Sequence, residues 1–302
     1  MTKEQLFEQL SQAFEQHDLF FGHGVIDAED EAMMLLMKVF KQPVDEILRS
    51  GHVEVSPQQR QEIAKLSARR IKSQAPMAYI VGEIQFAGYH FYCDKRALVP
   101  RSPFAEIIAN NFTPIVDVSS VKNVLDLCTG GGCIGIACAK KNQQWQVDLA
   151  DISAKALTLA SENIQRHSLQ SRVKTIASNL FDEITQKYDL IVSNPPYVSE
   201  EEYQQLPKEY RQEPKLGLVT QAHGLRIPVQ ILYHAPHYLH DLGHLYLEVG
   251  YSDELLTSVF DSVDFQWLEF SHGGQGICVF SKEKLLQYQP YFKAFLEKEN
   301  VI

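Results

Sequence analysis

The chain has 302 residues, of which 45% are hydrophobic, and its 28 basic and 38 acidic side chains leave a formal charge of −10. An acidic surplus argues against a broad phosphate-binding surface, so no direct nucleic-acid contact is expected. No apolar run is long enough to cross a bilayer, and the acidic, amphipathic N-terminus is unlike a signal or transit peptide. We therefore expect a cytoplasmic protein without membrane contact.

The first 82 residues are predicted to form a helical domain. One helix begins at a capping box on Thr2, a second near Asp27, and a third at Ser56, which is followed by proline. Apolar residues recur at helical spacing in each segment, as expected for helices that share a core.

Two arginines, Arg69 and Arg70, lie at the end of the third predicted helix. Basic side chains at this position complement the helix dipole and are usually solvated. We expect the pair to be exposed rather than to bind a partner.

Residues 83–100 are predicted to form a β-hairpin that connects the helical domain to the rest of the chain. The segment "GEIQFAGYHFYCDKRALVP" is rich in aromatic and β-branched residues and has Gly88 in its middle.

Residues 101–302 alternate strand and helix patterns from Val121 onward, with apolar strands such as "VKNVLDLC", "WQVDLAD" and "YDLIVS". This alternation predicts a Rossmann-like α/β domain with a mostly parallel sheet and helices on both faces. Such sheets bind ligands at the carboxyl ends of their strands.

The five cysteines form no CxxC pair. Three of them, Cys128, Cys133 and Cys138, lie in a strand-turn-helix segment with apolar neighbours, which favours core packing over metal or disulfide formation. The eleven histidines show no metal-ligand spacing either, so no metal site is expected.

A glycine turn in "LDLCTGGGCIGIACA" follows the first strand of this domain. Gly130, Gly132 and Gly135 match the GxGxxG pattern, and Asp151 ends the next strand, where a carboxylate can bind ribose hydroxyls. Nicotinamide dinucleotides and S-adenosylmethionine both use such a turn. Asp126, just before the turn, suits a cationic sulfonium ligand better than a phosphate and favours S-adenosylmethionine.

The fourth strand ends in "SNPPYV", a stiff corner that a dinucleotide enzyme does not need. The Asn194 side-chain oxygen and the Pro195 carbonyl can accept both N–H bonds of a planar amino group, and Tyr197 can pack against it. Adenine, cytosine and the glutamine side chain all present such a group, so the corner alone does not select the substrate.

Several segments together resemble the HemK family of protein-glutamine amide methyltransferases. They are "APMAYIVGEIQFAGYHFYCDKRALVPRSPFAE", "LDLCTGGGCIGIA", "DIS", "SNLF", "IVSNPPYV", "EYRQEPKLGLVTQAHGL" and "YLEVG". The resemblance covers nearly the whole chain. It implies a class I S-adenosyl-L-methionine-dependent methyltransferase with a seven-stranded sheet, and a substrate-recognition role for the N-terminal domain.

The resemblance also implies roles for individual residues. Asn194, Pro195 and Tyr197 would be catalytic; together with Pro196, Arg101 and Glu106 they would bind the target glutamine. The cofactor would contact Asp126, Cys128, Thr129, Gly130, Gly131, Gly132, Asp151, Asn179, Leu180 and Asn194. Asn179 stands where the family commonly has an acidic residue, so its role beside the adenine is an open question.

The protein substrate is predicted from the segment "PRSPFAE" at Pro100–Glu106. The release-factor branch of the family usually reads Pro-Arg-Pro, an acidic residue and Thr-Glu. The variant here, with Cys128 in place of a glycine, resembles the branch that methylates ribosomal protein L-three. Release factors are the alternative substrate. A nucleic-acid amino methyltransferase, a dinucleotide oxidoreductase and a pseudoenzyme that binds partners are competing functions.

Overall fold

The N-terminal 82 residues form five helices around one apolar core in the computed structural model, which describes residues 1–302. The helices are α1 Lys3–Glu15, α2 Ala28–Phe40, α3 Val44–Arg49, α4 Pro57–Ser73 and α5 Met77–Val81. Thr2, Asp27 and Ser56 each accept a hydrogen bond from a backbone N–H of the first turn, which confirms the three predicted helix starts. The two short helices α3 and α5 were not predicted.

The prediction of a solvated arginine pair is wrong for Arg70. Its side chain is fully buried, whereas Arg69 is exposed as expected. The Arg70 guanidinium donates to both carboxylate oxygens of Glu31, at 2.8 and 2.9 Å, and to Glu209 at 3.3 Å. The last turn of α4 lies against a segment more than a hundred residues away in sequence, and that packing removes Arg70 from water.

The connector forms the predicted hairpin, with β1 at Glu83–Phe86 and β2 at Tyr89–Tyr92. It is fastened to the C-terminal α/β domain by Asn163. The Asn163 side chain accepts from the Tyr92 N–H at 2.7 Å and donates to the Tyr92 carbonyl at 3.2 Å. The hairpin is therefore held against the sheet-covering helices rather than free to swing.

The rest of the chain forms a seven-stranded sheet between helical layers, as predicted. Its elements are α6 Phe104–Ala109, β3 Asn123–Leu127, α7 Cys133–Lys141, β4 Gln146–Asp151, α8 Ala154–Arg166, β5 Val173–Ala177, β6 Tyr188–Ser193, α9 Glu200–Gln205, α10 Arg226–Tyr238, β7 Leu239–Glu248, α11 Asp253–Val259, β8 Gln266–Trp267, β9 Ile277–Ser281 and α12 Lys282–Lys298. The sheet order is β5-β4-β3-β6-β7-β9-β8, and β9 runs antiparallel to its two neighbours. The helices α6, α9 and α12 were not predicted.

Each face of the sheet has its own apolar core. Along β3, Val124 belongs to the core that includes Ile136 of α7, and Leu125 belongs to the opposite core, with Leu232 of α10. Four of the five cysteines are buried and Cys128 is half-buried, in line with the predicted core packing. No helix has the length and apolar character needed to span a membrane.

The strand order reverses between β3 and β6. From β3 the chain proceeds outward through β4 and β5, and then returns to place β6 on the other side of β3. The crossovers on the two sides diverge at the carboxyl ends of these strands and leave a crevice there. The glycine turn after β3 and the Asn194 corner after β6 both open into this crevice.

Candidate active site

A cavity of about 1320 Å³ lies at the carboxyl edge of the sheet. Its walls include residues within 22–26, 96–103, 127–131, 194–198 and 271–275. The first of these belongs to the N-terminal domain, so both domains shape the opening. The volume exceeds that of a typical pocket for one small molecule and leaves room for two ligands side by side.

Most of the predicted site residues line this one cavity. They are Arg101, Glu106, Cys128, Thr129, Gly130, Gly131, Asp151, Asn179, Leu180, Asn194, Pro195, Pro196 and Tyr197. Asp126 and Gly132 do not reach the cavity wall.

Asp151 closes the glycine turn at the end of β4. Its Oδ2 accepts the Gly130 N–H at 2.8 Å, and its Oδ1 accepts the Ser153 N–H at 2.8 Å. Burial raises the pKa of the Asp151 carboxyl, while these backbone N–H groups act in the opposite direction. The side chain is half-buried and held at the cavity wall, where its remaining lone pairs can accept further hydrogen bonds.

Asp126 lies beneath the turn instead of facing a ligand. It is 1% exposed, and its Oδ2 accepts from the Thr129 hydroxyl at 2.5 Å and from the Gly135 N–H at 2.8 Å. Burial raises its pKa to about 7. The predicted direct contact with a sulfonium ligand does not fit this placement, because β3 directs the side chain toward α7. Through these two hydrogen bonds Asp126 instead joins the glycine turn to the N-terminal end of α7.

Close packing explains Gly135, and backbone conformation explains Gly132. A Cβ at Gly135 would lie 2.3 Å from Leu149 Cδ2, so only glycine lets α7 approach β4 this closely. Gly132 has φ +82°, a left-handed conformation that glycine adopts without strain. Cys128 also has a left-handed φ of +60°, at the position where relatives of this chain were expected to have glycine.

Asn179 and Leu180 follow β5 and line the cavity. The Asn179 amide nitrogen donates to Asp182 Oδ2 at 3.1 Å, which leaves the Asn179 carbonyl oxygen as its free polar atom. Asn179 can therefore serve as an acceptor, the role that an acidic residue would have at this position.

The Asn194 corner is held from two sides. Val198 exchanges backbone hydrogen bonds with residues 218 and 220, and the Tyr197 carbonyl accepts from the Ser252 hydroxyl at 3.1 Å. The Tyr197 ring lies against Gly250, where a Cβ would be 2.7 Å from the ring. The two prolines add their own restriction, so the corner is rigid before any ligand binds.

Glu248 is a further residue of the cavity that the sequence did not single out. It ends β7 next to the corner, is 4% exposed and accepts a hydrogen bond from the Ser102 hydroxyl. Burial raises its pKa to about 7, against the opposing effects of Ser102, Arg101, Asn194 and Tyr197. The segment "YLEVG" could have indicated Glu248 as a site residue, because there a carboxylate ends an apolar strand that lies beside the strand carrying Asn194.

Arg101 and Glu106 lie on the cavity wall but do not pair with each other. The Arg101 guanidinium forms a bidentate pair with Glu213, at 2.8 and 2.9 Å. The Glu106 carboxylate accepts the backbone N–H groups of Ser271 and His272, at 3.0 and 3.2 Å, and so holds the glycine-rich loop at residues 271–275. Both side chains have structural partners, and only Arg101 stands close to the corner.

Glu213 connects three parts of the molecule. Besides Arg101, it accepts the Val99 N–H at 2.8 Å and contacts His23 Nε2 of the N-terminal domain at 3.2 Å. Burial raises the pKa of the Glu213 carboxyl, but Arg101 and His23 outweigh that effect and lower it to about 2. The carboxylate is therefore ionised, and it ties the N-terminal domain to the cavity wall.

Comparisons with known proteins agree with this architecture. A family model described as "PrmC N-terminal domain" matches residues 5–82, and one described as "Methyltransferase small domain" matches residues 106–209. A ribosomal protein uL3 glutamine methyltransferase from Francisella tularensis subsp. tularensis (strain SCHU S4 / Schu 4) is 38% identical over 93% of this chain and 90% of its own. A second one, from Xylella fastidiosa (strain 9a5c), is 41% identical over 92% of this chain and 89% of its own.

Among solved structures, the catalytic domain of hMettl16 in complex with MAT2A 3′UTR hairpin 6 has a similar fold. The TM-score is 0.51, with 13% sequence identity over 75% of this chain and 82% of that chain. At this identity the likeness concerns the fold alone.

Proposed function

Because the chain belongs to the HemK family of protein-glutamine N-methyltransferases, we propose that it methylates the side-chain amide nitrogen of a glutamine in ribosomal protein uL3. One observation supports methyl transfer to an amide nitrogen. The amide-accepting corner at Asn194 and the glycine turn with Asp151 open into the same cavity. The uL3 substrate is supported by two relatives that cover more than nine-tenths of the chain.

The residues at the glycine turn fit S-adenosyl-L-methionine, the methyl donor of this family. The Asp151 carboxylate retains free lone pairs for ribose hydroxyls, and the Asn179 oxygen is free to accept from the adenine amino group. Leu180 adds an apolar surface for the base. Bound there, S-adenosyl-L-methionine supplies a methyl group that its positively charged sulfur activates.

The corner would bind the target amide. The Asn194 side-chain oxygen and the Pro195 carbonyl accept its two N–H bonds, and the Tyr197 ring packs against its plane. This arrangement would orient the amide nitrogen toward the methyl group that S-adenosyl-L-methionine would supply, and the N–H proton displaced on transfer would leave to water. Rigid acceptors and positioning, rather than a strong base, carry this catalysis.

The N-terminal domain, residues 1–82, would recognise the substrate protein, with 83–100 as connector and 101–302 as the methyltransferase domain. Its residues 22–26 form part of the cavity wall. Three exposed apolar side chains from both domains stand at the opening: Ile26, Leu216 and Tyr251, with 83, 59 and 86% exposure. They offer a surface for the chain that flanks the glutamine.

Methyl-labelled S-adenosyl-L-methionine tests the proposal when uL3 and a release factor are offered separately to the same enzyme. We expect label on one glutamine of uL3, located by digestion and mass spectrometry. Asn194→Ala, which removes one acceptor, should slow transfer by about 10²- to 10³-fold without abolishing cofactor binding. Label on the release factor alone would contradict the uL3 assignment, and label on neither would contradict the proposal as a whole.

A further inference from the structure

A one-way chain of hydrogen bonds reaches the corner from the loop before α6. The Phe104 backbone N–H donates to Ser102 Oγ at 3.1 Å, and the Ser102 hydroxyl donates to Glu248. An N–H cannot accept, so the hydroxyl proton of Ser102 is directed to the carboxylate. Ser102 and Glu248 are 8 and 4% exposed, so water does not compete with either bond.

At the end of this chain Glu248 faces the catalytic corner. Ser193 is in register with Leu247, so Asn194 and Glu248 are the next residues along these two adjacent strands, and both line the cavity. Asn194 and Tyr197 also favour the charged form of Glu248. A carboxylate only accepts hydrogen bonds, whereas the asparagine amide has a donating NH₂ end and an accepting oxygen end. A carboxylate beside Asn194 would therefore favour the NH₂ end of the amide, which would leave the oxygen toward the cavity.

We propose that Glu248, supported by Ser102, is a positioning residue that holds the Asn194 side chain with its carbonyl oxygen toward the substrate amide. The inference rests on the proposed function, because that orientation matters only when the acceptor is an NH₂ group. In the flipped orientation the Asn194 NH₂ would meet the NH₂ of the glutamine, donor against donor. Glu248 itself does not touch the reacting atoms.

Protonation of Glu248 would release this constraint. A protonated carboxyl has a donor of its own and can hold the Asn194 amide in either orientation. The charged and titratable groups that act on Glu248 are Arg101 and Tyr197; both favour the carboxylate, but burial outweighs them and the pKa is raised. With a Glu248 pKa of about 7, methyl transfer should increase as the pH rises through neutrality.

The kinetic test uses Glu248→Gln, which keeps the shape but can donate as well as accept. We expect kcat to fall by about 10- to 100-fold with little change in cofactor affinity, and the pH dependence near 7 to disappear. Ser102→Ala should shift that dependence to higher pH, because the hydroxyl lowers the pKa of the carboxyl. Tyr246→Phe, a buried change on the same strand with a hydroxyl that points at the Phe112 carbonyl, is the control and should leave the pH dependence intact.

A second readout does not depend on turnover. The ¹⁵N-labelled side-chain amide of Asn194, assigned through its loss in Asn194→Asp, should shift with pH around 7 in the wild type and not in Glu248→Gln. This result supports the positioning role even if uL3 is not methylated, and only the proposed function then fails. The inference would be overturned if the Asn194 amide resonance had the same pH dependence in wild type and in Glu248→Gln. It would also be overturned if Glu248→Gln kept the wild-type kcat and pH dependence of kcat.

Discussion

At the scale of single residues, the site depends on which atoms are donors and which are acceptors. Asp151 uses one oxygen for the Gly130 N–H and the other for the Ser153 N–H. Asn179 uses its nitrogen on Asp182 and keeps its oxygen free. In both cases the protein uses part of the side chain to fix its orientation and leaves acceptors for the ligand.

Asp151→Asn should weaken S-adenosyl-L-methionine binding at least about tenfold. An amide has only one oxygen, so its NH₂ would face one of the two backbone N–H donors that the carboxylate now accepts. Calorimetric titration with the cofactor measures the effect. Asp148→Asn is the matched control, because Asp148 lies on the same strand, contacts Tyr188 and Gln186 and does not line the cavity. Equal affinity in the two variants would contradict the role of Asp151.

At the scale of elements, buried ion pairs decide how the two domains pack. Arg70 in the last turn of α4 joins Glu31 of α2 to Glu209 in the 3₁₀ turn Lys208–Gln212 of the catalytic domain. Burial raises the pKa of Glu31, and Arg70 opposes that rise. The arginine thus neutralises carboxylates from two elements that would otherwise repel each other away from water.

Arg70→Ala should lower the free energy of unfolding by about 3 to 5 kcal/mol at pH 7, because it leaves buried carboxylates without a partner. The loss should be smaller near pH 5. The pKa of the Glu31 carboxyl is raised in the folded state, so the folded state binds more protons than the unfolded state. The free energy of unfolding therefore falls as the pH rises. Urea unfolding at both pH values measures this, with the exposed neighbour Arg69→Ala as control. Similar losses for the two variants would show that the burial of Arg70 contributes little.

At the scale of the whole molecule, the cavity is built jointly by both domains and the connector. Glu213 of the catalytic domain is bonded to His23 of the N-terminal domain, to Val99 of the connector and to Arg101, the first residue after the connector. Arg101 in turn lines the cavity and lies over the Tyr210 ring. The orientation of the N-terminal domain is therefore coupled to the shape of the active site.

Glu213→Gln should cost about 3 kcal/mol of stability at neutral pH. The carboxyl pKa is depressed to about 2, so its contribution is complete above its ordinary value of 4.5 and is lost as the pH falls toward 2. The difference in the free energy of unfolding between wild type and variant should therefore become smaller from pH 7 to pH 4 and to pH 3, as measured by urea unfolding. Glu200→Gln breaks a half-exposed pair with Lys215 and should change stability by less than about 1 kcal/mol. A gap that stays constant with pH would contradict the ionised Glu213.

The local features of this protein follow from its sequence by itself. The capped helices, the hairpin, the alternating strands, the glycine turn and the Asn194 corner are encoded by neighbouring residues, since backbone hydrogen bonds and side-chain periodicity act over a few positions. The strand-end positions of Asp151 and Asn194 then followed from the general rule for parallel sheets. That is why most predicted site residues line one cavity.

Only the tertiary structure decided which charged groups are buried and which face the ligand. Arg70 meets Glu209, Ser102 meets Glu248, and Arg101 meets Glu213 across more than a hundred residues of chain. The energy of a charge depends on its distance from water and from opposite charges, and local patterns contain neither distance. For the same reason Asp126, correctly located beside the turn in sequence, proved to lie beneath it.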